Sequence, residues 1–286
     1  MIYSASNIAW AAEHRLRAYA MLAQHGFGGL EIAPALFFFA AEDPFVPSEV
    51  ECGRALGEIA ESGLSLVSMQ SLLFGVDGAE LFGDAAALQK LESGMHRAIR
   101  LAGRLGIPNL VFGSPKQRVI PKGMGTQGAF DRALEVFCRL GDMARVEGTV
   151  IAMEANPAIY GTNFLTHGED ALDFVRRADH PAIRFILDIG AMQINGAFDD
   201  TPTLIAKAAP MLSHVHFSEP QLAPAPADTA QAATIIGALQ ETGYDRAVSI
   251  EMKAATETPI DVVAAAVDIL AQARKWVAYK GGEDER

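Results

Sequence analysis

The sequence predicts a single α/β domain, a (β/α)8 barrel, and three observations favour this fold class. Eight short β-branched or apolar runs alternate with longer amphipathic stretches along the 286 residues, which is typical of a parallel sheet covered by helices. Eight repeats of that unit favour a closed barrel over an open, doubly wound sheet. No GxGxxG turn follows the first run, as a dinucleotide-binding open sheet would require. We expect the barrel to span residues 1–280 and a polar tail to cover residues 281–286.

The expected strands are short, as buried parallel strands usually are. In chain order they are Ile2–Ser6, Gly29–Ile32, Leu64–Met69, Asn109–Phe112, Thr149–Glu154, Ile183–Asp188, Leu212–Phe217 and Ala247–Glu251. Between them apolar residues recur at spacings of three and four, as in Ala86–Leu105 and Ala129–Arg145, which indicates amphipathic helices. Gly106 and Gly243 lie shortly before strands, where glycine commonly ends a helix. A last helical stretch, Pro259–Ala278, follows the eighth strand.

Charge and composition restrict the partners. The net charge of -12, from 23 Lys and Arg against 35 Asp and Glu, opposes a nucleic-acid partner, because phosphate backbones are bound by dense basic surfaces. A small phosphorylated substrate needs only one basic cluster and is not excluded. No signal peptide or bilayer-length apolar run is visible, so we expect a cytoplasmic protein with no membrane partner. Cys52 and Cys138 lack CxxC spacing, and we expect both to be reduced.

Metal-ligand residue types lie at the ends of four consecutive expected strands. Glu154 ends the fifth strand, Asp188 ends the sixth, His216 lies near the end of the seventh, and Glu251 ends the eighth. Parallel barrel strands deliver their carboxyl ends to one rim, where barrel enzymes keep their chemistry. Three converging carboxylates repel each other unless a cation lies among them. The pattern therefore predicts one divalent cation, and oxygen-rich ligation with one imidazole favours Mn²⁺, Mg²⁺ or Co²⁺.

Two connections after expected strands are longer than a barrel needs. The first, Pro34–Ser48, is rich in phenylalanine: Phe37, Phe38, Phe39 and Phe45. We interpret this cluster as a hydrophobic lid or a homodimer contact rather than an aromatic substrate pocket. The second, Ser114–Gln127, carries Lys116 and Arg118, which either bind a substrate phosphate or carboxylate or are solvated loop charges.

Further polar residues lie near the same rim. Lys253 follows Glu251 by two residues and so shares its face of the strand, where it would contact the substrate or neutralise a carboxylate. His214 shares the parity of His216 for the same reason, and we expect it to contact the substrate. Other candidates for binding substrate hydroxyls lie at or near strand ends: Asn156, Asn7, Glu31 and Gln70.

The four strand-end residues, with the motif His214-Val-His216-Phe-Ser-Glu219, resemble the sugar phosphate isomerase/epimerase family of xylose isomerase-like TIM barrels. That family includes ketose 3-epimerases, hydroxypyruvate isomerase, inosose dehydratase and, more distantly, endonuclease IV. The resemblance implies that Glu154 and Glu251 are both metal ligands and an acid/base pair on opposite faces of a bound sugar. They would exchange the proton next to the carbonyl through an enediolate. It also implies that Glu219 orients groups around the substrate.

Three positions depart from the ketose 3-epimerases. Ala191 occupies a position where those enzymes have a histidine, Tyr160 one where they have a glutamate, and Leu222 one where they have an arginine. These differences imply a different substrate or reaction. We therefore expect a metal-dependent isomerase or epimerase of a small sugar, sugar phosphate or related polyhydroxy carbonyl compound. A dehydratase or lyase of a related polyol ketone is the alternative, and an inactive sugar-binding barrel is less favoured. A nuclease is disfavoured because it needs more metal ligands and a basic surface.

Overall fold

Eight parallel strands close into a barrel in simple chain order, which confirms the predicted fold. The structure is a computed structural model that describes the backbone of residues 1–256 and 259–283, and the side chains of 1–256 and 260–279. The strands are Ile2–Ser6 (β1), Gly29–Ile32 (β2), Ser65–Met69 (β3), Asn109–Phe112 (β4), Val150–Glu154 (β5), Ile183–Asp188 (β6), Leu212–Ser218 (β7) and Ala247–Glu251 (β8). All eight coincide with the expected strands to within one residue at either end.

Helices follow the strands and cover the outside of the barrel. Within the described residues the α-helices are Arg15–Gln24 (α1), Pro34–Phe37 (α2), Glu49–Glu61 (α3), Ala85–Leu105 (α4), Thr126–Val146 (α5), Gly168–Ala178 (α6), Ile189–Ile194 (α7), Thr201–Ala208 (α8), Thr229–Glu241 (α9) and Pro259–Glu283 (α10). None of them is both long and apolar enough to cross a membrane. The α10 backbone continues three residues into the expected tail, and residues 284–286 lie outside the described part of the chain.

Local sequence accounts for where the helices begin and end. The side chain of Asp84 accepts a hydrogen bond from the backbone of Ala87 at the start of α4, and Gly106 ends that helix with a φ of 67°. Ser48 and Glu51 form a reciprocal capping box at the start of α3. These contacts satisfy backbone groups that a helix end leaves unpaired.

The apolar side chains form two layers because side chains alternate along each strand. Val111, Ala152 and Ile186 form a small cluster of their own, as expected for residues that face the barrel interior. Their neighbours Ile151 and Met153 belong to the much larger core between the strands and the helices. This alternation directs Glu154, which shares the parity of Ala152, towards the interior at the carboxyl end of β5.

The phenylalanine cluster after β2 is part of the chain's own core. Phe37, Phe38 and Phe45 are buried, and only Phe39 is exposed. The guanidinium groups of Arg15 and Arg54 lie over the ring of Phe39. The three buried rings pack within the chain itself, so of the four phenylalanines only Phe39 offers apolar surface. The expected lid or dimer contact stays a prediction.

Candidate metal centre

Three carboxylates converge on one ring nitrogen of His216. Nδ1 of His216 lies 3.2 Å from Oε2 of Glu251, 3.3 Å from Oε1 of Glu154 and 3.8 Å from Oδ2 of Asp188. One ligand atom from each of the four residues lies within 4.8 Å of all the others. The four residues singled out from the sequence are thus brought together at one point.

Strand register explains this convergence. Asp188 pairs with His216 across β6 and β7, and Glu251 pairs with Ser218 across β7 and β8. Ser218 shares the parity of His216, and its hydroxyl donates to Oδ2 of Asp188 at 2.7 Å. Asp188 also caps α7 by accepting a hydrogen bond from the backbone of Ala191 at 2.6 Å. The Asp188 carboxylate is therefore held in place from both sides.

Glu154 is held just as closely. The side-chain amide of Asn156 donates to Oε2 of Glu154 at 2.8 Å, which leaves Oε1 directed at His216. Gly113, directly after β4, leaves room for this carboxylate, since a Cβ atom at that position would overlap Oε2 of Glu154. The glycine therefore allows the Glu154 side chain to lie against the neighbouring strand end.

The electrostatics of the cluster favour a cation. Burial, together with repulsion from Glu154 and Glu251, raises the pKa of Asp188 to about 7. Burial also raises the pKa of Glu251. The carboxylates of Glu251 and Glu31 raise the pKa of His216 well above its usual range, although burial alone would lower it. Each shift arises because negative charge is gathered in a place with little water.

The donor set fits a divalent cation. Nδ1 of His216 is buried and has no hydrogen-bond partner within the described part of the chain, although buried ring nitrogens are normally satisfied. Three carboxylates and one imidazole nitrogen suit Mn²⁺, Mg²⁺ or Co²⁺. Bound there, such an ion would be coordinated by Nδ1 of His216 and would offset the repulsion among the carboxylates.

The three carboxylates of the cluster line a cavity of about 370 Å³. Acidic and polar side chains make up one part of its lining: Glu154, Asn156, Asp188, Ser218, Glu219, Gln221 and Glu251. The rest is formed by Tyr160, Ala191 and Leu222, the three positions that depart from the ketose 3-epimerase pattern. Gln221 and Leu222 adopt left-handed backbone conformations with φ of 60° and 57°, and the backbone of Gln221 donates to the hydroxyl of Tyr160 at 3.0 Å. Non-glycine residues adopt such conformations at a cost, and they concentrate at functional sites.

Comparison with known proteins decides the family. Residues 19–277 match the family model described as the xylose isomerase-like TIM barrel. The chain belongs to this family. A search of curated protein sequences found no match.

Solved structures of similar fold include several sugar epimerases. The 3-keto-D-glucoside 4-epimerase of E. coli superposes with a TM-score of 0.76 at 19% identity, over 96% of this chain and 99% of that one. An L-ribulose 3-epimerase superposes with a TM-score of 0.77 at 18% identity, over 100% and 99% of the two chains. A D-psicose 3-epimerase solved in the presence of D-fructose gives 0.74 at 18% identity, over 98% and 99%. At these identities the similarity shows a shared fold.

Within this xylose isomerase-like barrel, the basic residues expected to bind substrate lie away from the cavity lining. Lys116 and Lys253 are exposed. Arg118 is fully buried, and none of its three guanidinium nitrogens has a hydrogen-bond partner among the described residues. Burial lowers the pKa of Arg118 to about 10, against the opposing effect of Glu154. Among the described residues, no Lys or Arg side chain contributes to the cavity lining.

The remaining expected residues divide between the cavity and the barrel interior. Asn156 and Glu219 line the cavity, and Oε1 of Glu219 accepts a hydrogen bond from the backbone of Ala227 at 3.0 Å. His214 and Glu31 are fully buried and bonded to each other, so the structure gives them a different place from the substrate contacts expected.

Two cavity residues were not identified as functional from the sequence. Ser218 lies at the end of β7, two residues after His216, and the alternation of side chains along that strand is a signal that could have identified it. Gln221 lies in a turn, and no sequence pattern marks it.

Proposed function

We propose that this barrel is a divalent-metal-dependent isomerase or epimerase of a small sugar or sugar-like polyhydroxy carbonyl compound. The observation that carries the proposal is the convergence of three cavity-lining carboxylates on a buried nitrogen of His216 that has no hydrogen-bond partner among the described residues. Glu154, Asp188, His216 and Glu251 would hold the ion. The sugar epimerases of similar fold support the same reaction class.

When bound, the ion supplies positive charge that polarises a carbonyl oxygen and makes the neighbouring C–H more acidic. We assign Glu154 and Glu251 as the acid/base pair that moves the proton of that carbon. Both line the cavity, and each directs one carboxylate oxygen at His216. The bond from Asn156 limits the orientations of Glu154, and positioned proton transfer typically contributes about 10² to 10⁴ in rate.

The cavity lining supports a substrate without a charged group. No Lys or Arg among the described residues lines the cavity, whereas four carboxylates do: Glu154, Asp188, Glu219 and Glu251. One divalent ion offsets only two of those charges, so a phosphate or carboxylate would enter a negative site. The hydroxyl groups of a neutral substrate can bond to Asn156, Ser218 and Glu219. Its less polar face can pack on Tyr160 and Leu222.

The test follows proton exchange directly. The Mn²⁺-loaded protein is incubated in D₂O with a panel of neutral ketoses, and deuterium at the carbon next to the carbonyl is measured by mass spectrometry and NMR. Glu251→Gln should reduce incorporation by at least about 10²-fold, because the amide can neither take nor return a proton. Glu241→Gln, which changes an exposed glutamate at the end of α9, should leave incorporation unchanged.

Two results would count against the proposal. Unchanged exchange in Glu251→Gln would remove Glu251 from the reaction. A product lighter by one water would replace the isomerase with the dehydratase that the sequence left as its alternative.

A further inference from the structure

The second ring nitrogen of His216 lies in a buried hydrogen-bond network centred on Glu31. Nε2 of His216 is 3.1 Å from each carboxylate oxygen of Glu31. Nε2 of His214 is 3.0 Å from Oε2 of Glu31, and the side-chain amide of Gln70 donates to Oε1 at 2.8 Å. Glu31, His214 and His216 are 0% exposed. A buried carboxylate is stable only when donors surround it, and three donors surround this one.

The positions of the protons in this network follow from a chain of bonds. The hydroxyl of Ser4 donates to the backbone carbonyl of Val248 at 2.8 Å, so its oxygen is the acceptor in the 2.7 Å contact with Ser249. The Ser249 hydroxyl therefore donates its only proton to Ser4. In its 2.9 Å contact with Nε2 of His214, Ser249 must therefore accept. His214 carries its proton on Nε2 and shares it between Ser249 and Glu31.

The same reasoning applies to His216. Glu31 is surrounded by the amide of Gln70 and the two imidazoles, all within 3.1 Å, and a buried carboxyl group that faces donors in this way is a carboxylate. A carboxylate only accepts hydrogen bonds, so the 3.1 Å contacts require a proton on Nε2 of His216. A histidine that binds a metal ion must be neutral, and with its remaining proton on Nε2 the lone pair of His216 lies on Nδ1, the nitrogen that faces Glu154, Asp188 and Glu251.

We propose that Glu31 is a positioning residue of the metal centre: it holds the His216 ring with its proton on Nε2, so that Nδ1 is directed at the ion. The hydrogen bond also makes Nδ1 a stronger donor, as carboxylate partners of metal-bound histidines do. This inference rests on the proposed metal binding. It assigns His214 and Ser249 to the support of Glu31.

A second metal ion among Glu31, His214 and His216 is the competing interpretation, since these residues also bring ligand atoms together. Two observations oppose it. The distances between Glu31 and the two imidazoles match hydrogen bonds, and the proton chain from Val248 to His214 leaves Nε2 of His214 without a lone pair. A wild-type protein that binds two ions per chain would overturn the proposal.

Glu31→Gln is the decisive variant because it keeps the size of the side chain. The amide can donate to Nε2 and so favours the tautomer whose proton blocks Nδ1. Mn²⁺ affinity, measured by EPR on the metal-stripped full-length protein, should fall by about 10- to 100-fold. Glu31→Asp keeps the carboxylate and should recover part of this loss. Glu241→Gln makes the same chemical change at an exposed glutamate at the end of α9 and should bind Mn²⁺ within about threefold of wild type.

NMR of ¹⁵N-histidine-labelled, Mg²⁺-loaded wild type reports which ring nitrogen of His216 carries the proton. A purely structural role of Glu31 would not fix that position. We expect a proton on Nε2 of His216. Its absence, or unchanged Mn²⁺ affinity in Glu31→Gln, would overturn the inference while leaving the proposed function intact. If Glu31→Gln does not fold, the NMR result and Glu31→Asp decide instead. Failure of the wild type to bind Mn²⁺ or Mg²⁺ would refute the proposed function as well.

Discussion

Replacing Asp188 by asparagine should stabilise the metal-free protein while removing its response to metal. Asp188 lies among Glu154, Glu251 and His216, and its side chain is only 13% exposed. Burial and the neighbouring carboxylates raise its pKa from 3.8 to about 7. An asparagine has almost the same shape and no charge, so it removes the repulsion without opening a cavity.

The magnitude follows from the pKa. A rise from 3.8 to about 7 penalises the ionised carboxylate in the native state by about 4 kcal/mol. Because the native state binds this proton more tightly than the unfolded state, the stability of the metal-free protein falls as pH rises from about 4 to 7 and stays low above 7. Asparagine loses one of the two hydrogen bonds from Ser218 and Ala191, which costs about 1 kcal/mol. The net gain at pH 8 is therefore about 3 kcal/mol, and it should shrink towards pH 5.

Mn²⁺ should stabilise the wild type much more than the Asp188→Asn variant. At a hundredfold excess over its dissociation constant, a ligand of the native state contributes about 2.7 kcal/mol. For a chain of 286 residues this raises the wild-type Tm by about 5 °C. The Asp188→Asn variant should show little of that shift, because one of the four ligands has lost its charge.

Urea denaturation of EDTA-treated protein at pH 5 and pH 8, with and without Mn²⁺, measures both effects. Asp199→Asn, at an exposed aspartate, is the matched control and should follow the wild type throughout. A metal-free Asp188→Asn protein that is less stable than wild type at pH 8 would show that the carboxylates do not repel each other as argued. Equal stabilisation of both proteins by Mn²⁺ would remove Asp188 from the metal site.

Two further substitutions test the surroundings of Glu154. Arg118→Met removes a buried cation that has no hydrogen-bond partner in the described part of the chain and whose charge acts on Glu154, so calorimetry should show Mn²⁺ binding several-fold more tightly with no loss of Tm. Lys116→Met, at an exposed position, should change neither, and weaker Mn²⁺ binding in Arg118→Met would contradict the electrostatic argument. Gly113→Ala places a methyl group against the Glu154 carboxylate and should lower kcat at least about tenfold. Gly125→Ala, which has open space around it, should not, and wild-type turnover in Gly113→Ala would show that the close approach is unimportant.

The candidate site could be located from the sequence because its key information is local. Each of the four proposed ligands ends, or nearly ends, a short apolar run, and side-chain parity along those runs is a property of neighbouring residues. Closure of a parallel barrel then brings the carboxyl ends to one rim whatever the details of packing. The expected position of Glu154, Asp188, His216 and Glu251 follows from these two rules alone.

The burial of polar side chains and their hydrogen-bond partners could not be predicted from the sequence in this way. Lys116 and Arg118 are two residues apart and look alike in the sequence, yet one is exposed and the other fully buried. The loop that carries Arg118 packs on distant segments, as shown by the backbone bond from Leu81 to Gln117 and the bond between Thr162 and Arg118. A sequence pattern contains no record of such contacts.

The sequence by itself determined the barrel, the order of its strands and the rim at which acidic and imidazole groups collect. Only the tertiary structure decided that Glu31, 185 residues away from His216 in the chain, bonds to Nε2 and leaves Nδ1 facing three carboxylates. It also decided that Tyr160, Ala191 and Leu222 line the same cavity. The physical reason is that hydrophobic periodicity and strand ends are set by adjacent residues. The direction of a buried polar side chain depends instead on which distant donors and acceptors the closed barrel brings within about 3 Å.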